Sequence, residues 1–184
     1  MNNLGTITLE TERLILRRFK IEDARQMYNN WATDKECSKF LSWEVHKDIS
    51  ETKEILEKWI NDYENNSYNW VVEIKSNHEL IGSISVIKNY EKDFYCEIGY
   101  CYGSKYWGKG YATEALKKVI DYLLNECKFN LVEACHISGN PASGRVMQKA
   151  GMHKEAVLTE RKFNKHTKQL DDLIFYSITR KEWK

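Results

Sequence analysis

The sequence has 184 residues but a single proline, Pro141, and no Gly/Ser-rich or Pro-rich stretch that would serve as a linker. It shows no internal repeat and no low-complexity segment. Those absences offer no place to divide the chain, so residues 1–184 are expected to form one domain. At that length, roughly two-thirds of the unfolded surface is buried on folding. Long apolar runs are missing too: no window approaches the ~18 residues of a membrane span. The opening MNNLGTITLETERL lacks the basic region and apolar stretch of a secretory leader. Charge of one sign is not in excess, since 28 Lys+Arg against 27 Asp+Glu leave +1. A nucleic-acid partner would call for a lopsided basic balance. The five cysteines, Cys37, Cys96, Cys101, Cys127 and Cys135, are odd in number and show no C-x-x-C spacing. That suits reduced thiols better than disulfides. A zinc site on Cys135 and His136 would have to recruit distant cysteines. The expectation is a cytoplasmic protein, monomer or homodimer, without metal, nucleic-acid or membrane partner.

What the sequence does have is periodicity. TERLILRRF (11–19) alternates as a strand, and Ala24, Met27, Tyr28 and Trp31 then fall on one helical face. Residues 33–47 are irregular and carry Phe40, Leu41 and Trp43. Asp48 and Glu51 have the spacing of a capping box before a helix that places Ile55, Leu56, Trp59, Ile60 and Tyr63 together. Three strand-like runs follow, NWVVEI (69–74), ELIGSISVI (79–87) and FYCEIGYCY (94–102), separated by turn-type residues. The best amphipathic helix places Ala112, Ala115, Leu116, Val119, Ile120, Leu123 and Leu124 on one side. LVEACHI (131–137) is a strand, and a strand–helix–strand order implies a parallel pair. A short helix has Asn140 at its cap, Pro141 at its first position and Gly151 at its stop. LTERKF (158–163) and LIFYSI (173–178) end the pattern. The fold class is α+β: a mixed, mostly antiparallel sheet of about seven strands with flanking helices.

KYWGKGYATEAL (105–116) places Gly108 and Gly110 where a helix must begin. A tight strand-to-helix turn is one reading. A dinucleotide fingerprint fails because its third glycine position falls on Thr113, and the Walker-type pattern is absent. The remaining reading is an anion cradle, formed by backbone N–H groups from Gly108 to Ala112 at a helix N-terminus, beside Lys105 and Lys109. Such a cradle suits a diphosphate.

This run resembles the acetyl-CoA pyrophosphate loop Q/R-x-x-G-x-G/A of the GNAT superfamily of N-acetyltransferases, with Lys105 in the Q/R position. TERLILRRFKIEDA, FLSWEVHKDISET, CEIGYCY, NPASGRVMQKAGM and LDDLIFYSITRKEW resemble, in order, segments of its RimJ/RimL-like branch, which includes ribosomal-protein N-terminal acetyltransferases. The resemblance implies a GNAT fold in which the strands at 94–102 and 131–137 splay apart. Acetyl-CoA then binds with its pyrophosphate against Lys105, Gly108, Lys109, Gly110, Tyr111 and Ala112, and its pantetheine against Tyr100, Cys101 and Tyr102. Direct acetyl transfer to an amine follows.

Transfer needs a neutral amine, a polarised carbonyl and a proton for the departing thiolate. Glu97 is the candidate base. It shares a strand face with Tyr95, Gly99 and Cys101, and Gly99 leaves space beside it. The alternative for Glu97 is a structural pair with an N-terminal arginine. Asn140 and Ser143 match the branch's N-x-x-S, with Asn140 on the pantetheine and Ser143 near the thiol; ordinary helix capping is the alternative for both. Met147 stands where many relatives carry an acid tyrosine, which makes Ser143 the replacement candidate. Trp31, Phe40 and Trp43 lie where relatives shape the acceptor pocket, and as a bare apolar set they read equally as core. His46, His136 and His153 read as structural, and Asp171 and Asp172 as neighbours on opposite strand faces. At pH 7 an α-amine of pKa ~8 is roughly a tenth neutral, a lysine amine about 0.04%. That favours a protein or peptide N-terminus as acceptor. A small amine such as an amino acid, polyamine or aminoglycoside is the alternative, and a non-catalytic CoA-binding module the alternative of another class.

Overall fold

The computed structural model describes residues 1–183. Its strands are β1 (Leu9–Glu10), β2 (Leu14–Arg17), β3 (Asn69–Ile74), β4 (Leu80–Tyr90), β5 (Tyr95–Tyr102), β6 (Leu131–Ile137), β7 (His153–Phe163) and β8 (Leu170–Thr179). They form one sheet in the order β1-β2-β3-β4-β5-β6-β8-β7. Every neighbouring pair is antiparallel except β5 and β6. The helices are α1 (Ala24–Met27), α2 (Lys35–Ser38), α3 (Ile49–Asp62), α4 (Tyr111–Asp121) and α5 (Pro141–Lys149). The architecture is thus the α+β mixed sheet that periodicity implies, with eight strands rather than seven. The extra strand is β1, which lies just before the first run and pairs with β2 inside that run as a hairpin, Leu9 opposite Leu16. The run ends early because Asp23 accepts hydrogen bonds from the Lys20 N–H and the Arg17 guanidinium, drawing the chain out of the sheet.

β3 lies inside the sheet and is buried on both faces. Trp70 and Val72 pack with Leu116 and Ile120 of α4, while Val71 packs with Met27, Trp31 and Leu56 on the opposite face. Two apolar clusters therefore clamp the sheet, and each fully buried side chain of this size contributes roughly 1.5–3 kcal/mol. α4 does not run to Leu124 as a regular helix. A π-helical turn, Tyr122–Glu126, follows it and keeps Leu123 and Leu124 buried. Asp48 caps α3 by accepting from the Ser50 and Glu51 N–H groups. Glu51 reaches back to the Lys47 N–H instead of completing the box on Asp48. α5 has the expected ends, with Asn140 accepting from the Ser143 N–H and Gly151 at φ +97° after the last turn.

One feature of the sheet positions the site. β5 and β6 pair only at Tyr95–Leu131, Cys96–Val132 and Glu97–Glu133. Beyond Glu97 each strand stays bound to its outer neighbour, β5 to β4 up to Tyr102 and β6 to β8 up to Ile137. The two therefore part, and the inner edge of β5 from Ile98 onward loses its ladder partner. Unpaired strand edges present N–H and C=O groups that need partners.

Candidate active site

A cavity of about 780 Å³ opens along that parted seam. One wall is Tyr100–Tyr102 of β5, another is the segment from Gly139 into α5, and the floor is the glycine run leading into α4. Phe40, Leu41 and Cys37 close it from the side of α2. Of the residues singled out from sequence, Phe40, Tyr100, Cys101, Tyr102, Gly108, Gly110, Tyr111, Ala112, Asn140 and Ser143 line this one cavity. Lys105, Lys109, Trp31, Trp43 and Glu97 do not.

The glycines are required by the backbone. Gly108 sits at φ +74° and Gly110 at φ +83°, where L side chains are strained. A Cβ on Gly108 would meet nothing within 4 Å, so the loop surface there is open. Gly110 begins α4 without any side-chain cap, leaving the first N–H groups of the helix free to meet an anion. Arg13 staples this loop. Its Nε donates to Glu114 Oε2 at 2.6 Å, its Nη1 donates to the Lys109 carbonyl at 3.1 Å, and its guanidinium lies 4.7 Å over the Tyr111 ring. The Thr11 hydroxyl holds the other oxygen of Glu114 at 2.6 Å. Burial raises the Glu114 carboxyl, but these donors outweigh it and leave it below the usual carboxylate range. The sequence reading missed both Arg13 and Glu114; the only hint was their place in the quoted motifs. Lys105 turns away, donating to Asn30 Oδ1 at 3.0 Å and Glu79 Oε1 at 3.1 Å. Tyr106 donates to the same Glu79 oxygen at 2.6 Å, so this lysine fastens the loop to the β3–β4 turn.

At the α5 end, Tyr100 OH lies 2.9 Å from Ser143 Oγ and donates to the Ser143 carbonyl at 3.0 Å. Burial pushes the Tyr100 phenol well above its ordinary range. The pair brings two hydroxyls to the cavity wall. Met147 is core, 1% exposed. The Tyr102 hydroxyl is buried and has no hydrogen-bond partner among the described residues.

Glu97 sits at the fork where the strands part, 3% exposed. Its partner is not an N-terminal arginine. Arg17 is taken by Asp23 and Glu73, and Glu97 instead pairs with Lys88 and accepts weakly from Cys135 Sγ at 3.5 Å. The hydrogen bond to Glu97 raises the Lys88 ammonium above its ordinary pKa. Across the fork stands Glu133, a residue the sequence reading passed over. Burial first, and the Glu97 charge second, push its carboxyl upward. The space beside Gly99 is not free: a Cβ there would lie 3.1 Å from the Ile87 side chain.

The three aromatic acceptor candidates separate. Phe40 faces the cavity 6.3 Å from the Trp107 ring, Trp31 is fully buried in the α1–α3 core, and Trp43 packs beside that core. The Trp43 carbonyl accepts from Lys165 Nζ at 2.7 Å, which ties it to the β7–β8 turn. Asp172 accepts from the Glu160 N–H and Asp171 from Ser138 and Asn164, so the adjacent acids serve separate loops. Among the described residues no group of His, Cys, Asp and Glu side chains has metal-binding geometry, and no helix is long and apolar enough to cross a membrane.

Comparison with known proteins gives this arrangement a context. The acetyltransferase (GNAT) domain family matches residues 13–153. The uncharacterized N-acetyltransferase p20 of Bacillus licheniformis is 31% identical over 178 residues, covering 96% of this chain and 98% of that protein. A ribosomal protein uS5-alanine N-acetyltransferase of Escherichia coli is 25% identical over 163 residues, covering 84% of this chain and 82% of its own. Among solved structures, a GNAT-family acetyltransferase from Bacillus anthracis superposes with a TM-score of 0.83 at 26% identity, over 95% of this chain and 99% of that one. The chain is an acetyltransferase and belongs to the GNAT family.

Proposed function

We propose that the protein transfers the acetyl group of acetyl-CoA directly to the α-amine at a protein or peptide N-terminus. The observation that carries this reading is the continuity of the cavity, which joins the uncapped N-terminus of α4 to the unpaired edge of β5. A diphosphate fits the first feature and an extended amide chain fits the second. The orphaned Tyr102 hydroxyl also calls for a polar partner. Acetyl-CoA supplies the thioester. The N–H groups from Gly108 to Ala112 hold the pyrophosphate, and the inner edge of β5 takes the amide groups as a strand would. Asn140 orients the pantetheine, and Ser143, steadied by Tyr100, offers its hydroxyl to the leaving sulfur. Glu97 at the fork takes the proton of the incoming amine, directly or through water. Lys105 acts by bracing the loop, and Phe40 borders the acceptor's approach.

The α-amine is favoured because it needs only one modest base, whereas a lysine amine is about two hundred times less available at pH 7. The uS5-alanine acetyltransferase relative is in line with this choice. The test is thiol release from acetyl-CoA with two acceptor panels and a blank. Peptides with free Ala, Ser or Met N-termini are expected to turn over and the same peptides with blocked N-termini to fail. Turnover confined to amino acids, polyamines or aminoglycosides would overturn the acceptor assignment. The double variant Glu97→Gln, Ser143→Ala should lose transfer by about a hundredfold or more while still binding acetyl-CoA. Unchanged transfer would remove both residues from the mechanism.

A further inference from the structure

Cys37 and Cys101 both line the side of the cavity, and nothing in the acetyl-transfer mechanism uses either thiol. Cys101 is a half-buried residue of β5, and its Sγ lies 3.4 Å from the Ser83 hydroxyl on β4. Cys37 belongs to α2, which is fixed to the end of β5 by Asp34. One oxygen of that carboxylate caps α2 at the Glu36 and Cys37 N–H groups, and the other accepts from the Ser104 N–H at 2.6 Å. So held, Cys37 stands beside Cys101 on the cavity wall. The Cys37 thiol comes first among the neighbours that hold the Cys101 thiol below its ordinary range, with Ser83 adding to it. The nearness of Cys101, and burial after it, push Cys37 up. The other three behave differently. Burial raises Cys96, Cys127 and Cys135, the last to about 12. A free, half-buried thiol on the wall of a site for a thiol-bearing cosubstrate, with the Ser83 hydroxyl 3.4 Å from its sulfur, is placed for disulfide exchange.

We propose that Cys101 is a covalent capture site for coenzyme A supplied as its disulfide, with Cys37 and Ser83 as the positioning residues. The Cys101 thiol gives its proton to water, and its sulfur attacks one sulfur of the disulfide. The new Cys101–S bond forms as the old S–S bond breaks. The departing CoA leaves as a thiolate with the electron pair of the broken S–S bond and takes up a proton, Cys101 being oxidised in its place while the retained sulfur stays at the disulfide level. The captured CoA then fills the cavity and excludes acetyl-CoA until a free thiol reverses the exchange.

This rests on the acetyl-CoA reading of the cavity, so that reading is checked in the same preparation by the rise in melting temperature with acetyl-CoA. Intact-mass spectrometry after incubation with CoA disulfide should show one CoA per chain, mapped to Cys101, lost on adding a reducing thiol, and formed roughly tenfold faster than the glutathione adduct at equal disulfide concentration. Acetyl-CoA should slow it, Cys101→Ser should abolish it, Cys37→Ala should slow it, and Cys135→Ser should leave it unchanged. A melting scan confirms that each variant is folded. A preparation that binds acetyl-CoA yet gives no adduct, an adduct elsewhere, or an internal Cys37–Cys101 bond without retained CoA overturns the capture proposal. A preparation that fails to bind acetyl-CoA overturns the reading beneath it.

Discussion

Tyr102 carries a hydroxyl in the interior that no described group satisfies. A buried donor without a partner costs more than it returns, so removing it should help the free protein. Tyr102→Phe is expected to stabilise the unliganded chain by about 1 kcal/mol, or about 3 °C in melting temperature for a domain of this size. It should also shrink the further rise produced by acetyl-CoA. A lower melting temperature without ligand would mean that the hydroxyl has a partner after all. Single residues also show where the sequence stops being legible. Glu97 was found because a mid-strand carboxylate needs a partner or a task, but its partner could not be found by the same rule. Counting by twos along β4 puts Lys88 on the face of Ile84 and Val86, away from Glu97. The register shifts between Val86 and Lys88, and the surplus residue, Ile87, turns Lys88 over to the Glu97 face. The same surplus sends the Ile87 side chain over Gly99, filling the space expected to be open. A bulge has no signature in a single sequence, so both errors share one cause.

The loop that enters α4 tests how an element depends on its backbone. Gly108 and Gly110 both have positive φ, but only Gly110 has a neighbour, Arg13 Nη2 at 3.3 Å from where a Cβ would stand. Gly108→Ala should therefore cost about 1 kcal/mol from conformation alone, and Gly110→Ala somewhat more. Equilibrium denaturation gives both values. Equal and negligible losses would show that the loop adopts other torsions and that α4 begins elsewhere. A second element, the irregular segment 33–47, is tied to α3 where His46 Nδ1 meets Thr52 Oγ1 at 2.8 Å. Burial holds the His46 pKa below its ordinary value despite the nearby Glu51 charge. The unfolded chain then binds this proton more readily than the folded one. The contribution of His46 is complete above the ordinary imidazole range, near 6.5, and fades as pH falls below it. His136, lowered mainly by burial, acts in the same direction. Stability measured from about pH 7.5 to 5.5 should fall, and His46→Gln should flatten part of that slope. An unaltered slope in the variant would place the titration elsewhere.

At the scale of the whole molecule, the sheet is built around an interruption. Helices α1, α3, α4 and α5, the meander and the parallel pair were legible, because each rests on a period of two or 3.6 or on the length of a connection. The single turn of α2 falls in the stretch read as irregular and is too short to show a period. The parting of β5 from β6 was not legible from period, and only the family resemblance supplied it. Its physical origin lies in the outer partners: β4 holds β5 to Tyr102 and β8 holds β6 to Ile137, and those ladders diverge. β7, polar along most of its length and paired only with β8, begins at His153 rather than Leu158 because main-chain pairing needs no apolar alternation. If the seam is the slot for pantetheine, the missing ladder should be restored by ligand. Backbone amides between Ile98 and Tyr102 that face β6 should exchange slowly only with acetyl-CoA bound, together with those from Gly108 to Ala112. Amides of β6 that already pair with β8 should be indifferent. Hydrogen-exchange mass spectrometry with and without acetyl-CoA separates these segments. Protection confined to the α4 entry would leave the diphosphate cradle standing and remove the seam from the binding site. Protection of both would mean that the sheet is completed by its cosubstrate, and that the fork at Glu97 marks the end of a strand the chain itself does not provide.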